Sequence, residues 1–184
     1  EKLVKTTAQL SDSERKNLRI IDRNAHRLLD LVNQLLDFSK VENRSMVVRF
    51  KVQNICNMLQ AVTERFEPTF AQNGINFKIE MPDSHFTAVI DNEAITKVVS
   101  NLLTNARKYT NDFVRLSCHV MPDDNSFAIE VEDNGVGIDP NDHERIFNAF
   151  YQSADNKPGT GIGLSIVKNI VDQHHGKVSV KSEP

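Results

Sequence analysis

No apolar stretch in the chain exceeds a few residues, far short of the roughly 20 that a spanning helix needs. Glu1-Lys2-Leu3-Val4-Lys5 does not read as a signal sequence, so an aqueous setting is expected. Cysteine is nearly missing. Cys56 and Cys118 stand alone, without metal-ligand spacing, and are expected to be reduced structural thiols. A charge excess of either sign is missing too. The 22 Lys and Arg against 25 Asp and Glu leave a net charge of -3, too near neutral for a surface built to hold nucleic acid or an anionic membrane, and no basic arm occurs. Repeats and low-complexity tracts are also wanting. What is there is the balance of a globular protein, 184 residues with 39% hydrophobic and 26% charged side chains, enough for one large domain or two small ones.

Residues 1–42 contain neither Gly nor Pro but carry a strict apolar repeat. Leu18, Ile21, Ala25, Leu28, Val32 and Leu35 step by 3, 4, 3, 4 and 3, the spacing of a helix seam facing a partner helix. Ser11 and Glu14 form an S-x-x-E capping box at its start, and residues 1–9 read as the tail of an earlier helix turning back at Leu10-Ser11-Asp12. Leu29, Leu31 and Leu36 widen the apolar surface beyond what one short helix covers. A helical hairpin that dimerises into a four-helix bundle follows as the expectation.

After Asn43 the texture changes, and the domain boundary is placed at residues 42–46. Met46–Val52, Ile75–Glu80, Phe86–Ile90, Val114–Val120, Phe127–Glu132 and Lys177–Lys181 read as strands. Asn54 caps a helix running to about Gln72, Asp91 caps one to Lys108, and a third runs from Gly161 to His174. Helices and mostly antiparallel strands then occupy one layer each, an α+β two-layer sandwich over residues 46–184.

On the helix 91–108, Asn101, Asn105 and Lys108 fall at i, i+4 and i+7, within roughly 60° of one another and off the buried stripe of Ile95, Val98, Val99, Leu102, Leu103 and Ala106. Alone this could be a solvated face. Two glycine segments change the weighing: Asp133-Asn134-Gly135-Val136-Gly137-Ile138-Asp139 after a predicted strand, and Gly159-Thr160-Gly161-Ile162-Gly163-Leu164-Ser165 opening a predicted helix. Glycine lets backbone N–H groups approach a ligand, and a helix N-terminus attracts phosphate. The pair of loops reads as a nucleotide cradle.

The combined pattern N-x-x-x-N-A-x-K, D-x-G-x-G and G-T-G-x-G-L resembles the ATP-binding domain of sensor histidine kinases, a fold shared with gyrase-type ATPases. Residues 1–42 are similar to the latter part of those kinases' dimerisation and phosphoacceptor domain, notably Asn24-Ala25-His26-Arg27-Leu28-Leu29 and Gln34-Leu35-Leu36-Asp37-Phe38-Ser39-Lys40. The resemblance implies that Asn101–Thr110 is the N box, with Asn105 holding Mg²⁺, Lys108 reaching a phosphate and Tyr109 lying against adenine. It implies that Asp133 accepts the adenine amino proton, that Gly135 and Gly137 bend around the base, and that Phe147 and Phe150 form the F box. Ile138, Gly159, Thr160, Gly161, Ile162, Gly163 and Leu164 complete the implied ATP-binding set, and Asn101 and Lys108 are the implied catalytic side chains. An amide oxygen suits octahedral Mg²⁺, and a buried carboxylate at Asp133 would be acceptor-only, hence selective for the adenine amine. Residues 148–160 have a loop composition and are expected to form a mobile lid, with Lys157 toward the γ-phosphate.

Gyrase-type relatives place a glutamate where this chain has Asn101. An amide cannot accept a proton at neutral pH, so transfer to an external nucleophile is favoured over hydrolysis. The resembling family uses an imidazole nitrogen on a His-Glu-x-x-x-Pro motif that this sequence lacks. His26, His85, His119, His143, His174 and His175 are read as structural or surface residues, and the chain is expected to be trimmed at both ends. The implied function is an ATP-dependent histidine kinase fragment that forms a homodimer through residues 1–42 and passes phosphate to a response regulator receiver domain. The resemblance also implies a cytoplasmic placement with the parent anchored in a bacterial inner membrane, and no nucleic acid or membrane contact by these residues. The alternatives are a gyrase-type ATP hydrolase and a nonenzymatic dimerisation module.

Overall fold

The computed structural model describes residues 11–42, 47–82, 86–121, 126–152 and 159–183. Helix α1 (Asp12–Glu42) begins where the capping box requires. The Ser11 N–H donates to the Glu14 carboxylate at 2.8 Å, and the Glu14 N–H donates to Ser11 Oγ at 3.3 Å. Among the described residues α1 is a single helix and not the expected hairpin; the arm assigned to residues 1–9 falls outside them. Its seam lies open, with Ile21 and Leu28 exposed to 62% and 63%.

Strand β1 (Lys51–Asn54) starts later than the expected Met46–Val52, and Met46 lies outside the described residues. The reason is a side chain far along the sequence. The Arg49 N–H donates to Asp91 Oδ2 at 2.7 Å, which ties residues 47–50 to a helix end instead of a ladder. From Lys51 onward β1 pairs antiparallel with β3 (Thr87–Ile90).

The second sheet has the order β2-β4-β5, from β2 (Asn76–Glu80), β4 (Phe113–Met121) and β5 (Ser126–Asp133). Strands β4 and β5 are antiparallel, as expected of neighbours in sequence, whereas β2 and β4 are parallel. On the open face Arg115 of β4 bridges Glu132 of β5 and lies 3.6 Å from Glu80 of β2. The turns at 83–85 and 122–125 lie outside the described residues.

Helices α2 (Ile55–Gln72), α3 (Asn92–Tyr109) and α4 (Gly163–Gln173) pack into one core with the strands. Asn54 caps α2 by accepting from Asn57 N–H at 2.9 Å, and Asp91 caps α3 by accepting from Ala94 N–H at 3.0 Å. Ile55, Leu59 and Phe70 of α2, Val99 and Leu103 of α3, Leu116 of β4 and Ile170 of α4 are fully buried. Both cysteines are buried and free, and burial pushes the Cys118 thiol up to about 11, which keeps it protonated and inert.

The strand expected over Lys177–Lys181 does not form. Residues 177–183 keep the alternating burial of a half-buried strand, and Val178 packs on the core, but among the described residues no neighbouring strand supplies a ladder.

Helices α2 and α4 end alike. In α2, Gly74 and Ile75 donate back to Ala71 and Phe70 carbonyls at 3.1 and 2.9 Å; in α4, His175 and Gly176 donate back to Asp172 and Val171 at 3.0 and 2.9 Å. Both are Schellman closures, which need one left-handed residue. That residue is Gly74 (φ +69°) in α2 but His175 (φ +57°) in α4. A side chain at such a φ costs about 1–2 kcal/mol, part of which glycine gives back through its freer unfolded chain. His175→Gly is therefore expected to raise unfolding stability by about 0.5–1 kcal/mol, read as a shifted urea midpoint at unchanged slope.

Candidate functional site

The floor of the site is the second half of α3. Leu103 and Ala106 are buried and Thr104 and Arg107 exposed, so Asn101, Asn105 and Lys108 lie half-buried along the border between core and solvent. From residue 101 to 109 the helix rises about 12 Å. A glycine turn meets it at each end.

At the 101 end stands the start of α4. Asn101 Nδ2 donates to the Lys97 carbonyl at 3.0 Å, which turns Oδ1 toward Gly163; a Cβ built on Gly163 would lie 2.9 Å from that oxygen. The N-cap of α4 is Ile162, whose own side chain makes no capping hydrogen bond. A helix N-terminus of that kind carries partial positive charge toward an anion. Ile162 is buried, Leu164 half-buried, and Thr160 Oγ1 accepts from Ile162 N–H at 3.3 Å. Gly161 takes φ +70° where its carbonyl accepts from Phe150 N–H at 2.9 Å. Phe150 is 58% exposed, while Phe147 is half-buried in a short 3-10 turn. Gly159 accepts from Gln152 Nε2 at 2.9 Å; residues 153–158, with Lys157, lie outside the described residues.

At the 109 end stands the loop after β5. A Cβ on Gly135 would come within 2.3 Å of the Tyr109 carbonyl oxygen, so only glycine allows this approach. Asp133 Oδ1 accepts from Gly135 N–H at 2.9 Å. Asp133 is exposed rather than the buried carboxylate expected, because β5 ends there at the open rim of the sheet. Lys108 Nζ donates to Tyr109 OH at 2.7 Å and sits 4.5 Å from that ring's centroid, so in this structure it lies at the Tyr109 end and not beside Gly163.

Three residues to which sequence reasoning gave no part in the site, Asn134, Ser182 and His143, the last read as structural or surface, hold the 133–139 loop. Asn134 Oδ1 accepts from Thr110 Oγ1 at 2.9 Å and from Phe113 N–H at 3.0 Å, and its Nδ2 donates to Asp112 at 2.7 Å, latching the loop to the end of α3. Ser182 Oγ accepts from Ile138 N–H at 2.9 Å, and His143 Nε2 lies 3.2 Å from the Ile138 carbonyl. Gly137 turns this loop at φ +73°. Asn134 was visible as an Asx residue beside glycine; the reach of Ser182 across 44 residues had no local signal.

Among the described residues no group of three or more His, Cys, Asp or Glu could hold a metal ion. The Asn105 side chain makes no hydrogen bond among the described residues, which leaves its amide oxygen a hard, neutral donor. That donor set fits Mg²⁺ bound chiefly through phosphate oxygens and not a preformed protein cage. No described helix is long and apolar enough to cross a membrane.

Residues 90–184 match the family described as histidine kinase-, DNA gyrase B-, and HSP90-like ATPase. The sensor histidine kinase TmoS of Ectopseudomonas mendocina is 35% identical over 174 residues, 92% of this chain and 18% of that protein, so the chain spans under a fifth of it. Full-length ShkA in complex with AMPPNP superposes with a TM-score of 0.79 at 24% identity, over 95% of this chain and 38% of that one. Histidine kinase ThkA, solved in complex with response regulator protein TrrA, superposes at 0.70 with 23% identity, over 95% and 49%. Both share the α+β fold. The chain therefore belongs to the family of histidine kinase-, DNA gyrase B-, and HSP90-like ATPases, and its relatives by sequence are histidine kinases.

Proposed function

We propose that this chain is the ATP-binding part of a protein histidine kinase of two-component signalling. It would hold Mg-ATP along α3 with the base at the Tyr109–Gly135 end and the phosphates at the Asn101–Gly163 end. The observation that carries this reading is the convergence of two glycine turns on opposite ends of the asparagine-bearing second half of α3. Asn105 would hold Mg²⁺, which when bound neutralises charge on the phosphate oxygens. Asp133, already accepting from its own loop, would accept from an adenine amine as well.

The choice of reaction rests on Asn101. Its amide is oriented by the Lys97 carbonyl and turns its oxygen to Gly163, yet it cannot take a proton from water at neutral pH. The site can therefore position a phosphoryl group without activating a hydrolytic water, which leaves transfer to a histidine outside the residues that form this cleft. The open apolar seam of α1 supports pairing with a second copy in a four-helix bundle, with 1–42 as the dimerising unit and 46–184 as the catalytic one. The ThkA complex supports a receiver domain as the next acceptor. Placement of the parent at a bacterial inner membrane remains part of this reading.

The test is calorimetric titration with a nonhydrolysable ATP analogue, with and without Mg²⁺, beside a steady-state turnover assay with ATP itself. Magnesium-dependent heat is expected, with negligible steady ATP turnover; a flat titration overturns the reading, and rapid turnover replaces it with a hydrolase. Asn105→Asp, which exchanges a neutral ligand for an anionic one, is expected to move the Mg²⁺ midpoint of analogue binding about tenfold, equivalent to ~1.4 kcal/mol. An unmoved midpoint would remove Asn105 from the metal site.

A further inference from the structure

Away from the cleft, one imidazole joins three elements. His174 closes α4, and both of its ring nitrogens face groups that act in one direction only. Nδ1 lies 2.8 Å from the Ile170 carbonyl oxygen, and Nε2 lies 3.1 Å from the Asp91 backbone nitrogen. A carbonyl only accepts and an amide N–H only donates, so Nδ1 carries the proton and Nε2 is bare. Asp91 continues the chain of contacts. Its Oδ1 caps α3 through Ala94 N–H, and its Oδ2 accepts from Arg49 N–H at 2.7 Å. Burial pushes the Asp91 carboxyl up, but bonds from the Arg49, Ala94 and Glu93 N–H groups outweigh burial and hold it below its ordinary value. The Phe50 ring meets the His174 ring edge-on, with centroids 5.1 Å apart.

Segment 47–50 follows α1 and precedes the ATPase fold, so these contacts tie the incoming chain to the start of α3 and the end of α4. Those are the two helices whose Asn101 and Gly163 meet at the proposed phosphate end of the cleft. We propose that His174 is a positioning residue, the joint through which the segment after α1 sets how α3 and α4 stand relative to each other. A displacement of segment 47–50 would then reach the cleft through Arg49 and Phe50, without any contact between that segment and nucleotide, while α1 lies directly against α4 as well. This rests on the nucleotide reading of the cleft.

The experiment uses the whole 184-residue chain. In wild type, ¹⁵N NMR of the imidazole is expected to show the Nδ1-protonated tautomer with a through-bond coupling from Asp91 N–H to Nε2; an Nε2-protonated or averaging ring overturns the joint. His174→Phe keeps the edge contact with Phe50 and removes both hydrogen bonds. It is expected to speed amide exchange at Arg49 and Asp91 and to weaken ATP-analogue binding about three- to tenfold, with a small change in Tm. Phe50→Ala, at a half-exposed ring, is expected to act in the same direction and gives the same reading should His174→Phe not fold. A wild-type chain that binds no analogue would overturn the nucleotide reading, and amide exchange would still judge the joint. A wild type that binds, beside variants that bind equally well with unchanged Arg49 exchange, would overturn the joint alone.

Discussion

Gly135→Ala is expected to reduce ATP-analogue affinity about 100-fold while lowering stability by about 1–3 kcal/mol. The new methyl carbon would start 2.3 Å from the Tyr109 carbonyl oxygen and 2.7 Å from its carbon, both backbone atoms that no rotamer change can move aside. The loop must lift off the end of α3 by roughly 1 Å, and a displacement of that order in a positioned site costs about two decades of function. The lift also strains the Asn134 latch, because Asn134 follows Asp133 directly and bonds Thr110, Asp112 and Phe113. Gly74→Ala is the control. It meets nothing within 4 Å and differs only in its φ of +69°, so it is expected to cost about 1 kcal/mol of stability and leave affinity unchanged. Calorimetric titration of both variants separates the two effects, and equal affinity in Gly135→Ala and wild type would detach this loop from the site.

The parts of this fold legible in the sequence are those decided within one turn of chain. Ser11 with Glu14, Asn54 with Asn57, and Asp91 with Ala94 are caps closed over three residues, so side-chain chemistry alone locates the helix starts. The two glycine segments were legible for a similar reason, since D-x-G-x-G after a strand and G-x-G before a helix each describe one local turn. What spacing alone missed was decided across long separations. The alternation over residues 47–52 looked like strand, but Asp91 captures Arg49 from 42 positions away and delays the ladder until Lys51. Lys177–Lys181 has strand alternation without a neighbouring strand to bond among the described residues. The exposure of Asp133 depends on where β5 reaches the rim, and the commitment of Lys108 to Tyr109 depends on side-chain geometry that i, i+4 counting leaves open.

Phe70→Ala, at the largest fully buried side chain among the described residues, is expected to cost about 3–5 kcal/mol against a total of about 5–15 kcal/mol for a domain of ordinary stability. Phe70 is fully buried at the end of α2, its ring 4.6 Å from Phe77 and 5.9 Å from Phe66, and its carbonyl accepts the Ile75 N–H that closes the helix. Removing the ring leaves a cavity between α2 and β2 that the closed helix end cannot collapse into. The same core runs without interruption through Leu59, Val99, Leu103 and Ile170, so α3 and α4 are expected to unfold with α2 and not after it. That continuity makes the nucleotide a reporter on the whole domain. An analogue at about 100 times its Kd should add ~2.7 kcal/mol to wild type and to Phe70→Ala alike, since Phe70 touches neither glycine turn. Urea unfolding of both proteins with and without analogue and Mg²⁺ measures this. Equal increments place the loss in the shared core, whereas an increment absent from Phe70→Ala would mean that the cavity reaches α3 and distorts the cleft itself.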